Sequence, residues 1–251
     1  MVEDEEFIRR NLTRVQERIA AAATSVGRSS EEVSLVAVSK GQSAWRVAAA
    51  YRAGALCFGE SRVQEAQAKV AAVAGLLTAE ASTAVPHLQP PLWHLIGHLQ
   101  TNKVRAAVST FSMVHSVDSL RLAEALDREA GRQALGVDRA PLPVLLQVNV
   151  SGEASKHGFS PRRLLLESAH VLDLPGLRLH GLMTIAPLAD SPEAARPIFR
   201  ELRWLRDELS RRYPQAPWSH LSMGMTNDFE VAIQEGATLV RIGRAIFGER
   251  P

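Results

Sequence analysis

Apolar residues recur at helical spacing through residues 3–26, at Phe7, Ile8, Leu12, Val15, Ile19 and Ala22, so one face of this segment is built for burial. Acidic residues crowd its first turn and Gly27 follows its end, the polarity that helix termini favour, and the spacing predicts an opening helix. Beyond it the pattern changes to short, nearly all-apolar runs separated by amphipathic stretches. The runs predict strands at 35–38, 55–58, 92–96, 113–115, 144–150, 177–183, 218–221 and 238–242. The stretches between them predict helices at 43–53, 62–76, 101–108, 119–134, 161–172, 192–212 and 227–235. Ser119, Ser160 and Ser191 stand where N-caps belong, the last two followed by Pro161 and Pro192.

Strands that are apolar along their whole length are buried on both faces, as in a parallel sheet covered by helices. Eight such units in 251 residues fit a closed barrel better than an open sheet, and no dinucleotide-type glycine fingerprint follows the first strand. The expected fold is α/β, a (β/α)8 TIM barrel with an additional N-terminal helix, in a single domain over residues 1–251. Two stretches break the rhythm, 78–91 with three prolines and 131–143 with mixed charge, and both are expected to be surface loops.

A hydrophobic fraction of 46% and a charged fraction of 22% are those of an ordinary soluble globular protein. The net charge of +2 and the scattered pairs Arg9-Arg10, Arg162-Arg163 and Arg211-Arg212 make no contiguous patch for a polyanion, which argues against nucleic acid. Cys57 is the one cysteine, so no internal disulfide forms, and its apolar neighbours suggest a buried strand position. The acidic opening of residues 1–6 lacks the apolar core of a signal peptide, and no apolar run reaches the roughly 18 residues of a membrane span. A cytoplasmic protein is expected.

In such a barrel the chemistry belongs at the C-terminal ends of the strands. Lys40 ends the apolar run 34–39 and is one of four lysines; a flexible amine on that rim, with a lowered pKa, is a nucleophile toward an aldehyde. Lys69 and Lys103 fall in helical segments and Lys156 in a glycine-flanked loop, which makes them poorer candidates. The loops after the seventh and eighth strands are the usual phosphate site of this architecture. Here they carry Ser222, Gly224, Thr226 and Asn227, then Arg241, Ile242, Gly243 and Arg244, with Asn227 placed to cap a helix and Glu230 three residues on. Gly224 and Gly243 also read as turn formers, Lys40 as an exposed loop residue, and Arg241 as half of an ion pair. An amine at one end and an anion site at the other suggest pyridoxal 5'-phosphate (PLP), with Arg241 against the pyridine nitrogen, keeping it unprotonated. His94 and His98 match no metal-binding spacing, and no serine lies in a nucleophile elbow.

The blocks Ala37-Val-Ser-Lys40, Phe58-Gly-Glu60, Trp93 to Lys103, His115-Ser-Val-Asp118, Gly181-Leu-Met183, Leu221-Ser-Met-Gly-Met225 and Val240-Arg-Ile-Gly243 together resemble the YggS/PROSC family of PLP-binding proteins, from about residue 5 to 250. The resemblance implies a barrel of the alanine racemase N-terminal-domain type, with Lys40 as the internal aldimine lysine. It further implies that Ser222, Thr226 and Gly243 hold the phosphate and that Arg241 faces the pyridine nitrogen. It also implies a carrier or homeostasis factor for PLP without established catalysis. Ser61 stands where that family usually has Asn, and Gly41 where a Thr commonly follows the lysine. The related racemases add a β-rich domain and a tyrosine from a partner chain as second base. The sequence ends at Pro251 with no such domain expected, and Tyr51 and Tyr213 fall within or at the end of helical segments. The expectation is therefore a non-catalytic monomer that binds and releases PLP, with amino acids or apo PLP enzymes as transient partners. A weak racemase or lyase using Lys40 is the runner-up, and a barrel aldolase acting on a phosphosugar the third reading.

Overall fold

The computed structural model describes residues 2–81, 89–135 and 140–249. Eight parallel strands close on themselves in sequence order: β1 (Ser34–Val38), β2 (Cys57–Glu60), β3 (Leu92–Leu95), β4 (Met113–Val117), β5 (Leu142–Gln147), β6 (Leu177–Met183), β7 (His220–Ser222) and β8 (Leu239–Ile242). This is the (β/α)8 barrel the apolar runs predict. Between and after the strands run α2 (Ala44–Arg52), α3 (Val63–Ala81), α4 (Val104–Thr110), α5 (Leu120–Ala134), α6 (Pro161–Leu172), α7 (Arg196–Arg212), α8 (Phe229–Gln234) and α9 (Arg244–Phe247). The expected caps form: Ser119, Ser160 and Ser191 accept from the amides of Leu122, Arg163 and Glu193.

Alternation along the strands divides the core in two. Val36, Met113, Leu145, Met183 and Leu239 fill the barrel interior, while Ala37, Phe58, Leu146, Leu182 and Val240 pack outward in a single cluster with the helices. The first helix, α1 (Val2–Thr24), buries Ile8, Leu12, Val15, Ile19, Ala22 and Ala23, and packs against α2, α8 and α9. It thus covers the seam where β8 meets β1. Phe7, expected on the buried face, lies at its edge beside Gly248.

Closure sets the register that matters for the site. Val36 pairs with Arg241 and Ala37 with Ile242 across β1 and β8, so the two ends of the sequence meet on one pair of strands.

Several boundaries differ from the pattern, each for a local reason. β2 continues through Gly59 and Glu60 because Ser39 and Ile96 extend the ladder on either side. β5 leaves the sheet at Gln147, since Val148 bridges to Phe159 and the Asn149 amide binds its own loop. Residues 131–134, shared by the predicted helix 119–134 and the predicted loop, complete α5, and 78–81, expected in a loop, complete α3. Within those two stretches 82–88 and 136–139 lie outside the described residues, and Leu142 and Pro143 already belong to β5. The helix expected from Asn227 begins at Phe229, with Asp228 at the cap position.

Candidate functional site

β1 stops at Val38, and the next three residues are held from below. Ser39 donates its amide to Gly59 O at 3.0 Å and its hydroxyl to Glu60 Oε1 at 2.7 Å. Lys69 Nζ, on α3, donates to Ser39 O at 2.6 Å, Glu60 Oε1 at 2.6 Å and Glu65 Oε1 at 2.9 Å. Glu65 Oε1 in turn accepts the Gly41 amide at 2.6 Å, and Gly41 takes a φ of 74° that favours glycine. The peptides on both sides of Lys40 are therefore fixed, while its half-buried side chain lines a cleft at the mouth of the barrel. Glu60 is fully buried with Oε2 lacking a hydrogen-bond partner, and burial raises its pKa above the usual carboxylate value despite Lys69. Sequence pattern puts Lys69 on a helix and away from the chemistry. The fold puts its ammonium against the backbone that leads into Lys40. The Glu65–Lys69 spacing of four was the one signal available.

The opposite wall of the cleft comes from the end of the chain. Arg241, buried at the end of β8, donates from Nη1 to Ser222 Oγ at 2.6 Å and from Nη2 to Thr184 O at 2.8 Å. Burial pushes its pKa down to about 10, against the attraction of Asp228, so the guanidinium remains charged at neutral pH. Thr226, Asn227, Asp228, Gly243 and Arg244 continue this wall. A Cβ on Gly243 would lie 3.1 Å from Val38 O, so this glycine allows the β8 end to lie directly against the β1 end.

Three expected cofactor contacts are not on the cleft wall. Ser222 is fully buried inside the barrel, its oxygen taken by Arg241 and lying 2.9 Å from His115 Nδ1. Ile242 is buried among the outward-packing residues. Gly224, at φ 93°, packs against α8, where a Cβ would come 2.6 Å from that of Ala232. These residues support the wall instead of forming it. Ser222 also belongs to a polar layer that crosses the barrel: His115 Nε2 lies 2.9 Å from His94 Nδ1. Desolvation lowers His94 to about 4 and His115 well below its ordinary value, so both rings are neutral at pH 7. The Ser222 oxygen accepts from Arg241, which leaves its own proton available to His115.

The cleft has a volume of about 710 Å³. Its apolar surface comes from Val38, Ile96, Ile185 and Met225, and Ser61 and Gly97 also line it. Of the two positions that depart from the resembling family, Ser61 therefore borders the site, whereas Gly41 turns toward α3. Two contributors have no sequence signal at all. Arg18 reaches the cleft from α1, paired with Glu230 and lying 4.6 Å over the Phe229 ring. The segment after β6, from Pro187 to Pro192, closes the far side. An amine, an apolar slot and a wall of guanidinium and hydroxyl groups fit a flat, phosphorylated aldehyde, and PLP is such a molecule.

Residues 8–251 match the family described as alanine racemase, N-terminal domain. The pyridoxal phosphate homeostasis protein of Aquifex aeolicus is 42% identical over 239 residues, covering 95% of this chain and 96% of its own. That of Pseudomonas aeruginosa is 42% identical over 243 residues, with 97% and 96% covered. Among solved structures, PipY of Synechococcus elongatus with PLP bound is 38% identical at a TM-score of 0.77, covering 93% of this chain and 100% of PipY. With barrel, cleft and full-length similarity in agreement, the chain belongs to the family of pyridoxal phosphate homeostasis proteins, built on the alanine racemase N-terminal-domain barrel.

Proposed function

We propose that this protein binds PLP through Lys40 and holds it for release, as one domain over residues 1–251 and without turnover of its own. The observation that carries this is the β1–β8 pairing, which sets Lys40 and the Arg241–Arg244 segment on walls of one cleft. When bound, PLP supplies an aldehyde that condenses reversibly with primary amines, and a phosphate that needs cationic and hydroxyl partners. Lys40 provides the amine. Thr226, Gly243 and Arg244 hold the phosphate, while Ser222, Gly224 and Ile242 keep that wall in place from behind. Arg241 sets a permanent cation beside the ring nitrogen, which disfavours protonation there and weakens the ring as an electron sink. That suits storage better than catalysis.

A racemase would need a second base at the cleft. Tyr51 is buried in α2 with its hydroxyl donating to Gln89 O, Tyr213 follows α7, and neither lines the cleft. We place the protein in the cytoplasm as a monomer that meets amino acids and apo PLP enzymes transiently, without nucleic acid or membrane. No described helix is long and apolar enough to cross a membrane.

The test is spectroscopic and chemical. Adding PLP to the purified chain should produce a visible absorbance band, and borohydride should fix the label on the peptide containing Lys40. Lys40→Ala should abolish the band. A label on Lys69, Lys103 or Lys156 instead would end the assignment.

A further inference from the structure

Beside the Lys40 cleft lies a second, smaller cavity of about 190 Å³, and the two share Ile96, Gly97 and Ile185 as a common wall. At its edge three side chains from successive strand ends converge: His98 after β3, Asp118 after β4 and His157 after β5. His98 Nδ1 is 2.8 Å from Asp118 Oδ2, and His157 Nδ1 is 4.0 Å from the same oxygen. The two imidazoles stack with centroids 3.9 Å apart and planes 11° apart, and one donor atom from each residue lies within 4.8 Å of the others.

The backbones that present these side chains are fixed. Gly97 is pressed against Ser61, where a Cβ would meet Ser61 O at 2.4 Å, and its carbonyl accepts the Ser116 hydroxyl at 2.6 Å. His98 therefore leaves a rigid corner. Asp118 has its other oxygen, Oδ1, 3.2 Å from the Ser119 hydroxyl, which turns Oδ2 toward the histidines. The His157 carbonyl accepts from Gln147 Nε2 at 2.9 Å, and Gly158 packs at φ 131° against Gln147 and Asn149. The rings themselves are the exposed part: the His98 side chain is 41% and that of His157 58% exposed, against 10% for Asp118.

We propose that His98, Asp118 and His157 form a binding site for a divalent transition metal such as Zn²⁺. Two imidazole nitrogens and one carboxylate oxygen are a donor set such ions take, with bonds of about 2.0–2.2 Å. Reaching those lengths requires the stacked rings to splay apart about the carboxylate. Their exposed torsions allow this, while the fixed backbones keep all three donors on one side. Three protein ligands leave a coordination position for water or a small donor from the adjoining cavity. Lys156, the cation in that cavity, is paired with Glu153 at 2.7 Å and does not occupy the carboxylate. The site uses neither Lys40 nor the anion-binding wall, so it stands apart from the PLP proposal.

The test is titration of the untagged, metal-free 251-residue chain with Zn²⁺ by calorimetry, with histidine ring resonances followed by NMR. One ion should bind per chain in the micromolar range, moving the ring signals of His98 and His157. His98→Ala, His157→Ala and Asp118→Asn should each weaken binding more than ~10-fold. His170→Ala, on the exposed face of α6, should leave it unchanged. Absence of saturable binding, or unchanged affinity in the His98→Ala/His157→Ala double variant, overturns the proposal.

Discussion

The ammonium of Lys69 donates to the carbonyl of Ser39 at 2.6 Å, and Ser39 immediately precedes Lys40. The same ammonium neutralises Glu60, which is fully buried. One side chain thus both positions the proposed PLP lysine and compensates a charge under α3.

Removing that cation leaves Glu60 buried with no partner charge. Lys69→Met is expected to cost ~3–5 kcal/mol, the usual penalty for breaking a buried pair from one side. Urea denaturation measures it. Replacing both members with apolar residues, Lys69→Met with Glu60→Leu, should recover most of that loss, because neither charge then needs compensation. PLP affinity should not recover in the double variant, since Ser39 O still lacks the bond from Lys69 and keeps only the Gln42 amide. Recovery of both together would show that the pair acts on stability alone.

The polar layer inside the barrel makes stability depend on pH in a stated direction. His94 is held at about 4 by burial, against about 6.5 when unfolded, so the unfolded chain binds more protons between those values. Stability is whole above pH ~6.5 and is lost as the pH falls toward 4, by ~3 kcal/mol for His94 alone. His115 acts in the same direction. Denaturation midpoints at pH 7.5, 6 and 5 should fall progressively. The decline should flatten in a His94→Leu/His115→Leu variant. An equal slope in that variant would move its source elsewhere.

Ser222 is the acceptor that holds Nη1 of Arg241 in a buried position. Ser222→Ala leaves that donor unsatisfied and should cost ~1–3 kcal/mol, with weaker PLP binding because Arg241 is then held by Thr184 O alone. Had Ser222 met the phosphate directly, PLP binding would weaken with little change in stability. Parallel denaturation and PLP titration separate the two.

How far the sequence reached follows from the range of each signal. Strand and helix identity depend on neighbours two to four residues apart, so the eight apolar runs and the caps at Ser119, Ser160 and Ser191 were legible. The place of Lys40 on the barrel rim is legible because it terminates such a run. The orientation of Ser222 is also within reach of the sequence. Alternation carries it, because Leu221 faces the helices and its neighbour must face the barrel interior. Arg18 is illegible, and Lys69 is marked only by its spacing from Glu65, because their roles arise only when α1 crosses the seam and α3 passes under β1. Asn227 reads as a cap, but adjacent Asp228 takes that position. Asp228 Oδ1 accepts the Met225 amide at 2.6 Å and closes the turn one residue later.

Gly224 tests whether the wall behind the proposed phosphate site is a matter of packing or of contact. Its φ of 93° is strained for any other residue, and a Cβ would sit 2.6 Å from Ala232 Cβ and 2.9 Å from Phe229 Cα. Gly224→Ala should therefore destabilise by ~1–3 kcal/mol, part from backbone strain and part from overpacking. Adding Ala232→Gly removes one clash, but the φ and the Phe229 contact persist, so restoration should be incomplete. PLP binding should fall in Gly224→Ala because residues 225–228 must shift with it, carrying Thr226 off the cleft wall. A Gly224→Ala protein of unchanged stability and PLP affinity would show that this tight turn does not set the wall.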